Sequence, residues 1–379
     1  MADDKKNATI NTIQHSVYVA RLAIPRYRNY NWFIPYDVDN LYPQKIKAIA
    51  ERSVTCSSAI GTHADFLSGQ GFGEGVNEID IAEQYTLEEL LKDKANDLAL
   101  YRGLSIHFNF NRKGQIVEIN EIPFEGLRWD KDQKMLVYSE DWTQVYNLNK
   151  EIIKYYPFSP DTVIEEIKKE GIENYTGQVL YFIPKKRDIY TVCRFDAALN
   201  DAQFEDESTV YKLCGIQNDY ALGGLIKLPT PLMDDEQFAD TKNTLQRKGR
   251  GAANNSKWIL IPAGADSEAI KAKLFEPMVR TNVDSLFVNQ NRAAESNIYK
   301  SYQQPPILNG VSNDGMFNQD QFMDAFDYYN SKTQDERDTL EKIFNRFWEY
   351  TIWYSGEKLK IIPKAYIQKR NNGTTTTAG

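Results

Sequence analysis

Apolar residues recur at Val279, Val283, Leu286, Phe287, Ala294 and Ile298, close to a 3.6-residue period, so the stretch from 279 to 302 predicts one helix. Gln290 interrupts the stripe, which keeps the predicted apolar face narrow. Thr281 and Asp284 fit a capping box at its start. At ~1.5 Å per residue the helix runs roughly 30 Å. It is expected to stop at Pro305-Pro306, because the first ring disfavours helix in Gln304 and neither ring can donate an amide hydrogen. Ile307-Leu308-Asn309-Gly310 then forms a short apolar plug closed by a turn, and the loop runs on through Ser312, Asn313, Asp314 and Gly315.

Upstream, Ile46, Ile49 and Ala50, then Ala59, Ile60, Ala64 and Leu67, predict two helices, with Pro43 suited to the first turn. Gly69-Gln70-Gly71-Phe72-Gly73 follows a helix rather than a strand, so it reads as a helix C-cap and not as a phosphate cradle. Thr86-Leu87-Glu88-Glu89 is a second capping box, opening a helix to about Tyr101. Ser105–Pro123 alternates as strand, turn at Arg112-Lys113-Gly114, strand. Leu127–Trp129, Met135–Tyr138, Gln144–Leu148 and Val179–Ile183 read as further strands, and Asp161–Lys169 as a short charged helix.

Cys193–Tyr220 predicts a helix with six acidic residues, among them Asp201, Glu205 and Asp206, against Arg194 and Lys212. Such a face is either plain solvated surface or, in several copies, the wall of a channel. A strand at Gly223–Pro229, a helix at Asp234–Leu245 and a strand at Lys257–Pro262 follow. The loop before the last strand, with Arg247, Lys248, Arg250, Asn254, Asn255 and Lys257, is basic, rich in Gly and Asn, and therefore exposed. Phe317–Tyr354 predicts one long helix whose polar middle, Ser331–Asp338, invites a kink or an exposed segment. Leu359–Ile367 reads as a strand and Asn371–Gly379 as a disordered tail. Tyr27, Tyr30, Trp32, Phe33 and Tyr36 mark an N-terminal arm that packs on its own subunit or on a neighbour.

The chain has 379 residues, 41% hydrophobic and 26% charged, which fits two or three domains or one elongated subunit. The absence of an N-terminal apolar region and of any run of ~18 apolar residues predicts a chain neither secreted nor membrane-spanning. Cys56, Cys193 and Cys214 are odd in number and far apart, which argues against a disulfide framework or a zinc site. A net charge of −8 argues against tight DNA binding, which needs Lys and Arg to displace counterions. It is compatible with a conduit whose wall repels phosphates.

Catalytic patterns are sparse. There is no GxxxxGK[ST] phosphate loop, GxSxG, HExxH or EF-hand loop. His15, His63 and His107 are isolated, and His107 sits in an alternating strand that suggests a structural part. No enzyme, cofactor or metal is expected.

The run from Arg292 and Glu295 through Ile298 to Pro305–Gly310 and Phe317 resembles tailed-phage portal proteins, in which a helix bearing acidic and Arg residues runs into a Pro-Pro-hydrophobic-Leu-x-Gly loop and then a long helix. The opening Tyr-Pro, two helices and GxGF are similar to that family too, as is the weaker segment Ile122–Arg128. The resemblance covers roughly residues 40–355 as an order of elements and implies an α+β portal-type subunit. Its parts would be an arm at 1–39, an α+β wing at 40–192, a first stem helix at 193–220 and a clip at 221–262. A linker and second stem helix at 263–302, a tunnel loop at 303–317, a long wing helix and strand at 318–370 and a tail at 371–379 would complete it. It further implies a ring of about twelve copies at a capsid vertex. Double-stranded DNA would pass the loop Gln303, Gln304, Pro305, Pro306, Ile307, Leu308, Asn309 and Gly310 and the acidic helix without sequence readout. The large terminase and head-completion proteins would meet the basic clip loop, and the major capsid protein would surround the ring. Another head–tail adaptor and a metal-dependent nuclease are the alternatives.

Overall fold

A computed structural model describes residues 32–143, 152–185, 188–217, 224–229, 258–263, 275–277, 283–311 and 319–366, with backbone alone for 214–217, 224–229, 258–263, 275–277 and 283–286. The arrangement is mixed α+β, with eight α-helices among the described residues. They are α1 (Tyr42–Arg52), α2 (Val54–Ser68), α3 (Leu87–Tyr101), α4 (Val163–Glu170), α5 (Leu199–Gln217), α6 (Val283–Tyr302), α7 (Gln319–Lys332) and α8 (Gln334–Trp348).

The largest sheet among the described residues has six strands. Its strands are β3 (Leu104–Phe110), β4 (Ile116–Asn120), β5 (Leu127–Trp129), β6 (Leu136–Tyr138), β7 (Ile153–Pro157) and β8 (Gln178–Phe182), after a small hairpin of β1 (Asp80–Ala82) and β2 (Tyr85–Thr86). The order is β4-β3-β8-β7-β6-β5, antiparallel except for β7 beside β8. Alternation in β3 buries Leu104, Ile106, Phe108 and Phe110. Leu90, Leu91 and Leu98 of α3 and Leu340, Phe344 and Phe347 of α8 join them in one core. Full burial of each such side chain contributes about 2 kcal/mol. The sheet ends are occupied within the chain: Phe33 bridges Asp130 beyond β5, and Ile116 of β4 bridges Thr351.

The Thr86–Glu89 capping box forms as expected. The glycine cluster also behaves as a cap: Gly69 at φ 57° ends α2 and its N–H donates to Asp65 O at 3.0 Å. A Cβ on Gly69 would sit 2.1 Å from Ile362 O, so the site needs glycine for space as well as for its positive φ. That carbonyl belongs to the C-terminal segment, where the expected strand at Leu359–Ile367 does not form. Through residue 366 it is extended chain, tied by Gln70 N–H to Ile362 O and Ile362 N–H to Gly71 O, both at 2.8 Å. Its alternation serves burial of Leu359 and Ile361 in the core rather than a strand ladder.

Other expectations shift. β7 was not read from sequence, because Ile153-Lys154-Tyr155-Tyr156-Pro157 lacks an alternating apolar face and its first two residues are exposed. The single long helix at 317–354 is two, α7 and α8, broken at Thr333, whose Oγ1 donates back to Tyr329 O at 2.9 Å. The polar middle is only partly solvated: Arg337 is buried and its guanidinium donates to Phe66 O, Asn330 O and Asn330 Oδ1 at 2.8–3.0 Å. Arm residues Phe33, Ile34 and Tyr36 pack on their own subunit. They do so around fully buried Arg128, which donates to Asn40 Oδ1, Asn40 O, Glu125 O and Leu127 O at 2.6–2.8 Å. Tyr27, Tyr30, the Gln144–Leu148 strand, the Thr281 cap and the tail lie outside the described residues.

Candidate functional site

The predicted first stem helix begins later than expected: a 3-10 turn at Asp196–Ala198 leads into α5 at Leu199. α5 and α6 pack side by side through Phe204 and Tyr211 against Phe287, with ring centroids at 6.2 and 5.3 Å. Ser208 donates to Asn291 Oδ1 at 3.2 Å and Asn297 donates to Asp201 Oδ2 at 3.2 Å. The narrow stripe of α6 is used at its C-terminal end, where Ala294, Ile298, Tyr299 and Tyr302 are buried, while Val288 and Gln290 are exposed. Ile298, Tyr299 and Tyr302 enter a second core with Tyr36, Tyr42, Cys56, Tyr190, Phe195 and Ala202, which roots the helix pair in the wing.

Between them the excursion is a three-stranded sheet, ordered β10-β9-β11, of β9 (Gly224–Pro229), β10 (Trp258–Ala263) and β11 (Phe275–Pro277). β9 and β10 run parallel in a matched register from Gly224↔Trp258 to Pro229↔Ala263. β11, which the sequence does not predict, pairs antiparallel with β9. The Asp234–Leu245 helix and Arg247, Lys248, Arg250, Asn254, Asn255 and Lys257 lie outside the described residues.

The loop after α6 is anchored more firmly than its composition suggested. Gln303 takes a left-handed φ of 52° and ends the helix, exposed. Gln304 is only 4% exposed, with neither amide atom hydrogen-bonded. Pro306–Asn309 winds as a 3-10 turn closed by left-handed Gly310, whose N–H donates to Ile307 O at 3.1 Å. Asn309 Oδ1 accepts from Thr62 Oγ1 at 2.7 Å and Ser58 Oγ at 3.0 Å, both on α2. Leu308 packs on the cluster of Phe66, Phe326 and Tyr329. Of the two glutamines, Gln303 alone can reach outward, together with exposed Pro306 and Gly310.

Three of the acidic residues of α5, Asp201, Glu205 and Asp206, are engaged within the subunit. Glu205 accepts from Ser53 Oγ at 2.5 Å and Thr55 Oγ1 at 2.9 Å at the N-terminus of α2, where a carboxylate also favours the helix dipole. Asp206 lies 3.7 Å from Arg52, and Asp201 accepts from Asn297. The signal for the Glu205 contact was present: Ser53 between two helical patterns is an N-cap position, and Ser53 Oγ also accepts from Cys56 N–H at 3.1 Å.

Sequence spacing also hid a buried network. His63 is not isolated: its Nδ1 lies 2.7 Å from the Tyr329 hydroxyl and its Nε2 3.0 Å from Glu336 Oε2. Glu336 also accepts from Arg194. A neutral ring satisfies both contacts, accepting from Tyr329 and donating to Glu336. Burial lowers the His63 pKa below its ordinary value and keeps it neutral near pH 7, even though Glu336 pulls the other way. Burial would raise Glu336, but His63 and the Arg194 guanidinium outweigh it and hold the carboxyl at about 2. His107 instead meets Thr176 O at 2.7 Å within the sheet, a structural part as its alternating strand suggested. Cys56 and Cys193 are buried free thiols. Among the described residues no group of three or more His, Cys, Asp or Glu could hold a metal, and no helix is long and apolar enough to cross a membrane.

The sequence matches no protein-family model and no curated protein. Solved structures do match in fold. A chain from the neck of an empty gene transfer agent particle, computed with C6 symmetry, aligns at TM-score 0.50 with 12% identity, over 86% of this chain and 85% of that one. A chain from the virion of a native gene transfer agent particle aligns at TM-score 0.49, with 12% identity over 85% and 84% of the two chains. An HK97-family phage portal protein from Corynebacterium diphtheriae aligns at 0.40, with 9% identity over 75% and 85%. At these identities the likeness is one of fold.

Proposed function

We propose that this chain is a portal-type virion subunit that assembles into a ring of about twelve copies, through which double-stranded DNA enters and leaves a capsid. The observation that carries the reading is the fold shared with the neck chain of the empty gene transfer agent particle along nearly the whole of both chains. Its sequence support is the helix–sheet–helix excursion of α5, β9–β11 and α6, followed by the Pro-Pro loop. In this reading the rim at Gln303, Pro306 and Gly310 meets the duplex by shape, and uncharged side chains there touch phosphates without long-lived ion pairs. The turn from Pro305 to Asn309 holds that rim against α2. Arg247, Lys248, Arg250, Asn254, Asn255 and Lys257 form the docking loop for the packaging motor and then for head-completion proteins, and the capsid protein surrounds the wing. The chain works as a scaffold and conduit rather than as an enzyme.

Negative-stain electron microscopy with mass photometry tests this. Rings of about a dozen copies with an open centre are expected. A protein that stays monomeric or dimeric with capsid protein and scaffold present, or that cuts DNA when given a divalent metal, refutes it.

A further inference from the structure

Two faces of the helix layer are unmatched among the described residues, and they are chemically complementary. The first is a groove of about 280 Å³ between α1 and α5, lined by Lys45, Ala48, Ile49, Arg52, Asp206 and Glu207. Ala48 and Glu207 are exposed, and Glu207 has no ion-pair partner among the described residues. Val54, at the same end of α1, is 77% exposed, the most exposed large apolar side chain among the described residues. The second is the flank of α6 that carries Val288, 48% exposed, and Arg292, exposed and likewise without a partner among the described residues.

The faces lie on different sides. On α5, Asp201, Phe204, Ser208 and Tyr211 meet α6, whereas Gln203, Asp206 and Glu207 line the groove towards α1. Spacings of three and four residues put each set on its own face. On α6, Phe287 and Asn291 face α5, and Val288 and Arg292, each one residue on, are turned about 100° from them. A contact between two different faces of one chain is heterologous, and such contacts close into a ring when the rotation between successive copies divides a full turn.

We propose that the α1–α5 groove receives the Val288–Arg292 flank of α6 from a second copy of this chain, with Arg292 paired to Glu207 and Val288 set against Ala48 and Ile49. The row of helices α1, α5, α6 then continues from subunit to subunit. The inference rests on the ring proposed above and adds which surfaces join.

The test compares the full chain with Glu207→Arg, Arg292→Glu and the double variant by mass photometry, with circular dichroism to check folding. Each single variant should raise the concentration needed for rings about tenfold or more, because like charges then oppose each other across every joint. The double variant should restore it. Singles that assemble like the parent, or a folded double variant that remains unassembled, overturn the contact. A parent that forms no rings even with capsid protein and scaffold present overturns the ring itself, and the contact with it. A milder pair, Ala48→Cys with Val288→Cys in a Cys214→Ser background, should give an oxidised ladder of multiples on a non-reducing gel. A monomer band alone overturns the proposed joint.

Discussion

Replacing Glu336 by Gln removes a half-buried charge and leaves nearly the same shape. In the folded chain the carboxylate accepts from His63 at 3.0 Å and from Arg194. Its pKa falls from 4.5 to about 2. At ~1.4 kcal/mol per pH unit this is about 3.5 kcal/mol, discounted to about 2 because the side chain is 32% exposed and solvent screens part of the attraction. The sign follows from linkage. A depressed carboxyl stabilises fully above its unfolded value near 4.5 and loses that contribution as pH falls towards about 2. His63 acts in the same sense higher up, since a buried neutral ring disfavours folding once acid below about 6.5 charges it in the unfolded chain. The assay is urea unfolding at fixed protein concentration from pH 7 to pH 2.5. Glu336→Gln should lose about 2 kcal/mol at pH 7, and its gap from the parent should narrow steadily as pH falls from about 4.5 to 2.5. A variant as stable as the parent at pH 7, or a gap that does not change with pH, refutes the reasoning.

Gly69→Ala should cost ~2 kcal/mol or more in thermal unfolding, since its Cβ meets Ile362 O at 2.1 Å and its φ is positive; an unchanged melting temperature contradicts the close approach. Arg337→Lys should destabilise by about 2 kcal/mol, because an ammonium cannot present the planar fork that satisfies Phe66 O and both Asn330 acceptors, and equal denaturant midpoints would speak against it. In a Cys214→Ser background, Cys56 and Cys193 should react with a thiol reagent only at the rate of unfolding, because burial raises both thiols above their ordinary range; rapid labelling of the native chain would contradict this. Deleting residues 303–315 should spare ring assembly and harm genome packaging or retention, and normal packaging would remove the loop's proposed contact with DNA.

Local signals carried most of the elements. The capping box at Thr86, the helix stop at Gln304 and the cap at Gly69 were legible because each depends on residues within a turn of one another. The β3–β4 hairpin was legible for the same reason, through its alternation. What the chain alone could not disclose were contacts between distant segments. Leu359–Ile367 has a strand's alternation, but among the described residues its backbone bonds to other backbone at Gln70 and Gly71 alone and no strand pairs with it. β11 is a three-residue element that exists only because β9 offers an open side. The acidic face of α5 read as free charge, yet Glu205 is taken by Ser53 and Thr55, about 150 residues away.

The sequence by itself determined where capped and proline-stopped helix ends fall, that the Pro-Pro loop follows a long helix, and that nucleotide-loop and metalloenzyme patterns are missing. Only the tertiary structure decided that Gln304 is buried while Gln303 is exposed, that Asn309 is tethered to α2, and that His63, Tyr329, Glu336 and Arg194 share one network. The reason is physical. Caps, turns and periodicity arise from neighbours along the chain, whereas desolvation and charge pairing depend on which distant segments the packing brings within a few ångströms of each other.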